Sequence, residues 1–283
     1  MTDRAPAALR ARTVGVVGLG LIGGSIARRL AEGRAAAVAA FDTDVSLRRR
    51  VRGVARWCDS LGELVAAADV VVLAVPVPAI VSLLPEVARA ARQPGRHRRL
   101  LVTDVGSIKA PVARAAARFG RAFDYVGLHP IAGGEVNGWG ASQASLFEGR
   151  TFVYCPTGRG PDRVARALVR ALGGIAVAMD PVEHDRMAAE TIGLPHLLAF
   201  AASGLRPPAT APHPLRGTSW SGLTRVSVSD PDFVAGLLFA NAAHQRRILR
   251  TFRLRLAELE RLLRQPTAAP LARALRSAGR GRS

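Results

Sequence analysis

The chain has 283 residues, 49% hydrophobic and only 5% aromatic, with a formal net charge of +19 at pH 7; that length suits about two domains and a sizeable core. The arginines are scattered and not interleaved with aromatics, which argues against a nucleic-acid surface; such a composition often reflects a general arginine bias, and its positive potential can still steer an anionic substrate and cofactor. Two cysteines, Cys58 and Cys155, make no disulfide framework, and the apolar stretch from Val70 to Leu84 is broken by Pro76 and Pro78, so a cytoplasmic protein without a membrane span or signal segment is expected.

Val14-Gly15-Val16-Val17 reads as a short buried strand. It runs into Gly18-Leu19-Gly20-Leu21-Ile22-Gly23-Gly24 and then an apolar-periodic helix from Ser25 to Leu30. This is G-x-G-x-x-G between strand and helix, the context a dinucleotide site needs. Gly18 permits the turn, Gly20 lets backbone approach a pyrophosphate, and Gly23 lets helix and strand pack closely. The N–H groups of the helix start, around Leu21 and Ile22, carry the positive end of the helix dipole. Val38-Ala39-Ala40-Phe41 reads as the second strand, ended by Asp42. An acid there accepts from ribose hydroxyls and repels a 2′-phosphate, favouring NAD over NADP. The competing reading makes Asp42 a capping or turn residue. Arg48, Arg49 and Arg50 keep NADP open.

The alternation continues through Asp69–Pro76, Leu100–Asp104, Thr151–Tyr154 and Ile175–Ala178. Strands alternating with helical patterns imply an α/β, doubly wound Rossmann-type parallel sheet. Ligands in such sheets bind beyond the carboxyl ends of the strands. Val75 and Pro76, the run Asp104-Val105-Gly106-Ser107, and His129 all fall there. His129 ends an apolar strand and precedes Pro130-Ile131-Ala132-Gly133-Gly134-Glu135, so it is expected to face a cleft. Neutral imidazole is well matched to taking a proton near pH 7. A satisfied strand-end histidine is the plainer alternative. Lys109 is the only lysine in the chain; its compact three-donor head is not interchangeable with guanidinium, which suggests a contact organising the cofactor-side loop.

Asp180-Pro181-Val182-Glu183 reads as a capped helix start, with Glu183 completing a capping box. Beyond it the spacing is helical, with Met187, Thr191, Leu194, Leu198 and Ala201 on one face and Pro195 expected to kink the helix beside His196. A second helix starts at Ser229-Asp230-Pro231 and is expected to run unbroken to about Leu263. Between them, Gly204 to Ser221 reads as a Pro/Gly/Ser-rich loop walling the site. The division is 12–179 for the nucleotide domain, 180–268 for an all-helical C-terminal domain, and 269–283 for a basic, disordered tail. No metal-ligand cluster is expected, since His184, His196, His213 and His244 lack spacing partners.

Taken together, Gly18-Leu19-Gly20-Leu21-Ile22-Gly23-Gly24-Ser25, Asp104-Val105-Gly106-Ser107-Ile108-Lys109, Gly127-Leu128-His129-Pro130-Ile131-Ala132-Gly133, Leu194-Pro195-His196 and Leu223-Thr224-Arg225 make the chain resemble the prephenate/arogenate dehydrogenase family. The resemblance implies His129 as the catalytic base and Ser107 near the reacting hydroxyl and the nicotinamide. It implies Arg225 on the ring carboxylate, and His196 and Glu135 in the substrate pocket. It places NAD on Gly18, Gly20, Leu21, Ile22, Gly23 and Asp42, with Val75, Pro76, Asp104, Ser107 and Lys109 lining the cofactor side. It also implies a homodimer through the C-terminal helices. Ile192-Gly193 stands where Ser-His is frequent, which removes two polar groups from the pocket wall. Prephenate, arogenate and the 4-amino analogue of prephenate all stay open as substrates. Two other readings compete: a non-catalytic NAD-binding sensor, and a β-hydroxy-acid dehydrogenase, which needs a catalytic lysine that the second half lacks.

Overall fold

The structure is a computed structural model that describes residues 6, 8–9, 11–33, 35–95, 97–134, 136–158, 160–205 and 217–279. Eight strands form one sheet: β1 (Thr13–Val17), β2 (Ala37–Phe41), β3 (Arg56–Trp57), β4 (Val70–Leu73), β5 (Leu101–Asp104), β6 (Asp124–Pro130), β7 (Thr151–Tyr154) and β8 (Ile175–Ala178). Their order is β3-β2-β1-β4-β5-β6-β7-β8. The strand order reverses at β1/β4, the switch point at which such folds open a ligand crevice.

Alternation within each strand builds two cores. Val14, Val16, Val70 and Val72 face the layer of α1 (Leu21–Glu32) and α6 (Pro161–Ala171). Val17, Val71, Leu73 and Val102 face α3 (Leu61–Ala67), α4 (Val77–Ala91) and α5 (Ala110–Ala117). A short helix, α2 (Leu47–Arg50), follows β2. Both faces of the central strands are therefore covered, which is why they read as unbroken apolar runs.

One part of the expected sheet is corrected. β7 pairs antiparallel with β6, and β8 runs parallel to β7. Among the described residues, the link from β6 to β7 contains a 3-10 turn, Trp139–Ala141, and no crossover helix. Without a crossover the chain returns along the same edge and the next strand must reverse.

The helical half begins with α7 (Pro181–Ala188), a π-helical turn (Ala189–Gly193) and α8 (Leu194–Gly204), and continues with α9 (Thr218–Thr224), a 3-10 turn (Arg225–Val228), α10 (Pro231–Ala240), α11 (Ala242–Leu263) and α12 (Ala269–Gly279). Asp180 caps α7, accepting from the N–H groups of Val182 at 2.8 Å and Glu183 at 3.2 Å. Glu183 itself binds Arg186 at 2.8 Å. Pro195 is absorbed in the first turn of α8, directly after the π-helical turn; a π-turn re-registers the ladder where a missing N–H would break it.

Three expectations change here. The helix from Pro231 is broken at Asn241, whose side chain leaves the helical pattern to donate to the Asp185 carbonyl at 2.7 Å. Residues 269–279 form a helix, correcting the disordered tail over that span. The far end of the expected loop, from Thr218, belongs to α9, while 206–216 lie outside the described residues.

Candidate active site

The nucleotide-facing end is assembled from loops that touch. Gly18 has φ +88°, and a Cβ there would lie 2.7 Å from both the Ala74 carbonyl and the Val75 side chain. The turns after β1 and β4 are thus locked together by a residue with no side chain. A Cβ on Gly23 would lie 1.9 Å from the Gly18 carbonyl, while one on Gly20 would meet nothing within 4 Å. Gly20 therefore leaves open space at the N-terminus of α1, where no side chain caps the first-turn N–H groups. Uncapped donors beside an open backbone are a cradle for a pyrophosphate.

Asp42 accepts from the Leu19 N–H at 2.6 Å through one oxygen and from the Asp44 N–H at 2.8 Å through the other. It ties the glycine turn to the end of β2 and is a turn residue there. Arg48 is engaged on the surface by Asp59 at 2.9 Å.

The centre of the site is the carboxyl end of β6. His129 is only 5% exposed. Its Nδ1 lies 2.8 Å from His184 Nε2, and His184 Nδ1 lies 2.8 Å from Asp185 Oδ1. The two imidazoles meet edge to face, with centroids 5.0 Å apart and planes at 77°. The remaining nitrogen, His129 Nε2, has no hydrogen-bond partner among the described residues. Burial, then Lys109, then His184 hold the His129 pKa well below the ordinary 6.5. It is a neutral imidazole with one nitrogen unengaged, the form a general base needs.

Lys109 and Asp104 stand differently from the expectation. Neither has any exposed surface. The Lys109 ammonium donates to the Asp104 carboxylate and, at 2.6 Å, to the Leu128 carbonyl. Asp104 also accepts from the Tyr125 hydroxyl at 2.5 Å and from the Gly106 N–H at 2.8 Å. That environment pushes the Tyr125 pKa well up, through burial first and then the Asp104 charge. As cofactor contacts, Lys109 and Asp104 have no exposed surface to offer a bound molecule. They instead clamp β5 to β6 one residue before His129.

Ser107, half-buried, sits in the turn between β5 and α5, two residues before Lys109. Val75 is half-buried and Pro76 exposed at the start of α4. A Cβ on Gly134 would lie 3.4 Å from Leu21, which lays the loop after His129 over the start of α1. His196 is half-buried, with Nδ1 donating to the Ile192 carbonyl at 2.9 Å. Arg225 is exposed on the 3-10 turn that packs against α8, the helix carrying His196. Glu135 lies outside the described residues.

Sequence reasoning missed His184, Asp185, Asn241 and Tyr125. The cap at Asp180 does place His184 and Asp185 one turn into a helix, but no spacing rule links them to a histidine 55 residues earlier.

Two family models match adjoining parts of the chain. Residues 26–179 match the family model of the prephenate dehydrogenase nucleotide-binding domain, and residues 180–277 match that of the prephenate dehydrogenase dimerization domain. A prephenate dehydrogenase of Lactococcus lactis is 29% identical over 238 residues, 80% of this chain and 64% of that protein. A cyclohexadienyl dehydrogenase of Zymomonas mobilis is 28% identical over 261 residues, covering 88% of this chain and 86% of the other. The crystal structure of prephenate dehydrogenase from A. aeolicus, in complex with hydroxyphenyl propionate and NAD+, superposes with a TM-score of 0.83 at 24% identity, covering 97% of this chain and 98% of that one. Two adjoining models that together span most of the sequence, over a sheet and helical domain of matching architecture, establish that this chain belongs to the prephenate dehydrogenase family.

Proposed function

We propose that this chain is an NAD-dependent dehydrogenase that oxidatively decarboxylates prephenate or a close analogue, either arogenate or 4-amino-4-deoxyprephenate. The observation that carries the reading is His129: buried, held neutral, and with Nε2 unengaged at the carboxyl end of β6, whose following loop reaches the start of α1. The family, and relatives named for prephenate and cyclohexadienyl substrates, support the reaction class.

When bound, the dinucleotide supplies the hydride acceptor. Gly18, Gly20, Leu21, Ile22 and Gly23 would hold its pyrophosphate, and Asp42 its ribose. His129 Nε2 takes the proton from the hydroxyl (or amino group) at ring C4 as hydride leaves that carbon. The ring carboxylate departs as carbon dioxide, its bonding pair makes the ring aromatic, and the proton returns to the product's heteroatom. A well-placed base contributes about 10²–10⁴-fold. Arg225 anchors a substrate carboxylate, for which a planar fork is the matched donor. Ser107 and His196 line the pocket, His196 offering Nε2 as an acceptor because Nδ1 is committed to Ile192.

Purified protein should form NADH with at least one of the three cyclohexadienyl acids. His129→Asn should remove turnover while NAD affinity stays within about threefold. Turnover surviving in that variant would reject His129 as the base, and NAD binding without product from any of the three acids would favour a sensor.

The helical half supports a homodimer. Phe239, Leu254, Leu263 and Leu275 are large apolar residues, each more than half exposed, on the segment matched to a dimerization domain. Large apolar side chains exposed on such a segment are normally buried against a partner. No helix among the described residues is long and apolar enough to cross a membrane. Both cysteines are free and buried, which suits a reducing compartment such as the cytoplasm.

A further inference from the structure

The reaction requires a base, but an imidazole has two nitrogens, and only one tautomer leaves a lone pair toward the substrate. We propose that His184 and Asp185, contributed by the helical domain, are positioning residues that fix the tautomer of His129 and hold the charge it acquires. The inference rests on reading His129 as the base.

With both imidazoles neutral, the hydrogen bonds leave one consistent assignment. Asp185 Oδ1 accepts from the Lys109 N–H at 2.7 Å, and Oδ2 accepts from the Ala110 N–H at 2.8 Å. Both carboxylate oxygens are thereby committed as acceptors at the N-terminus of α5, where the helix dipole also favours a negative charge. The contact from His184 Nδ1 to Asp185 Oδ1 must then be N–H donation. With its proton on Nδ1, neutral His184 has an acceptor at Nε2, and that atom faces His129 Nδ1. His129 therefore carries its proton on Nδ1 and its lone pair on Nε2, the nitrogen with no partner. The hydrogen bond made by one ring nitrogen of an active histidine commonly sets its tautomer in this way.

The same chain serves the protonated state. When Nε2 takes the substrate proton, the imidazolium donates from Nδ1 to His184, whose other nitrogen is held by Asp185. No bond between heavy atoms changes, and the proton goes back to the product from Nε2. Asp185 is itself held from behind, since its carbonyl accepts from Asn241 at 2.7 Å. His129 lies in the segment matched as nucleotide-binding, and His184, Asp185 and Asn241 lie in the segment matched as dimerization domain. The lone pair of the base is thus presented only when the two domains are docked. Lys109 is the other titratable group acting on His129, with Asp104 and Tyr125 behind it; Cys155, just after β7, is a thiol that burial pushes up to about 12.

The test uses the full chain with NAD and prephenate or whichever cyclohexadienyl acid turns over. His184→Leu removes the acceptor, whereas His184→Gln keeps a non-titrating oxygen that can accept from His129. His184→Leu should lower kcat by about 10²–10⁴-fold, with KM and NAD affinity within about threefold. His184→Gln should recover at least about tenfold of that loss and show a changed acid limb in its pH profile. Asp185→Asn should lower kcat, again with KM little changed. A kcat within threefold of the parent in His184→Leu, or equal losses in the Leu and Gln variants, would overturn the proposal while an inactive His129→Asn leaves the base assignment standing. An active His129→Asn would remove both.

Discussion

The lone lysine offers the sharpest test of how this site is supported. The Lys109–Asp104 pair has no exposed surface on either side chain. Replacing Lys109 by Met removes the ammonium but leaves Asp104 buried. The carboxylate would keep Tyr125 and the Gly106 N–H and lose its only cationic partner, and the Leu128 carbonyl would lose a donor. Breaking one side of a buried pair costs about 3–5 kcal/mol. At about 2–4 °C per kcal/mol for a domain of this size, Tm should fall by roughly 6–20 °C. Lys109→Arg should fall nearly as far, because a planar guanidinium does not fit a sealed pocket shaped for a compact ammonium. That would explain why a chain otherwise using only arginine keeps this residue. Adding Asp104→Asn to Lys109→Met removes the stranded charge and should restore stability to within about 2 kcal/mol of the parent. Urea unfolding of the parent, both single variants and the double variant measures the coupling. A loss below about 1 kcal/mol in Lys109→Met, or a double variant no better than that single one, would refute the reasoning.

The low pKa of His129 has two consequences with definite signs. Activity should hold steady as pH falls through 6.5, the acid limb of kcat/KM lying lower still. Because the unfolded chain takes up the proton first, the His129 contribution to stability is present above pH 6.5. It is lost as pH falls below 6.5 toward the folded value, by about 1.4 kcal/mol per pH unit. A protonation midpoint of His129 at or above 6.5, read by NMR titration, would contradict both. Gly193 and Gln245 should be coupled, since a Cβ on Gly193 would lie 1.7 Å from Gln245 Nε2. Gly193→Ala should cost about 1–3 kcal/mol, and Gln245→Ala in that background should recover most of it; strict additivity in urea unfolding would show the two do not touch. The Gln245 amide nitrogen and oxygen are buried with no hydrogen-bond partner among the described residues. Gln245→Met should therefore be neutral or stabilising by up to about 2 kcal/mol, and a loss above 1 kcal/mol would mean the amide has a partner. Leu254→Asp combined with Leu263→Asp should shift the protein from dimer to monomer in light scattering, and an unchanged mass would place the interface elsewhere.

Local chemistry made the nucleotide half legible from the residues alone. Gly18, Gly20 and Gly23 are needed where backbone meets backbone or open space, β-branched runs mark strands covered on both faces, and Asp180 and Asp230 announce helix starts by the N–H groups they satisfy. His129, Ser107 and Arg225 were legible as family motifs, and the two domains as a change from alternating to helical spacing. What could not be read was whatever depends on residues far apart in sequence. The reversal of β7 follows from a missing crossover. The break at Asn241 follows from an amide drawn to the Asp185 carbonyl. The burial of Lys109 follows from a carboxylate on one strand and a carbonyl on the next. The pairing of His129 with His184 and Asp185 crosses the domain boundary. Periodicity and capping are properties of neighbours along the chain, but a hydrogen bond between two histidines 55 positions apart exists only once both domains have packed and set their side chains 2.8 Å from each other.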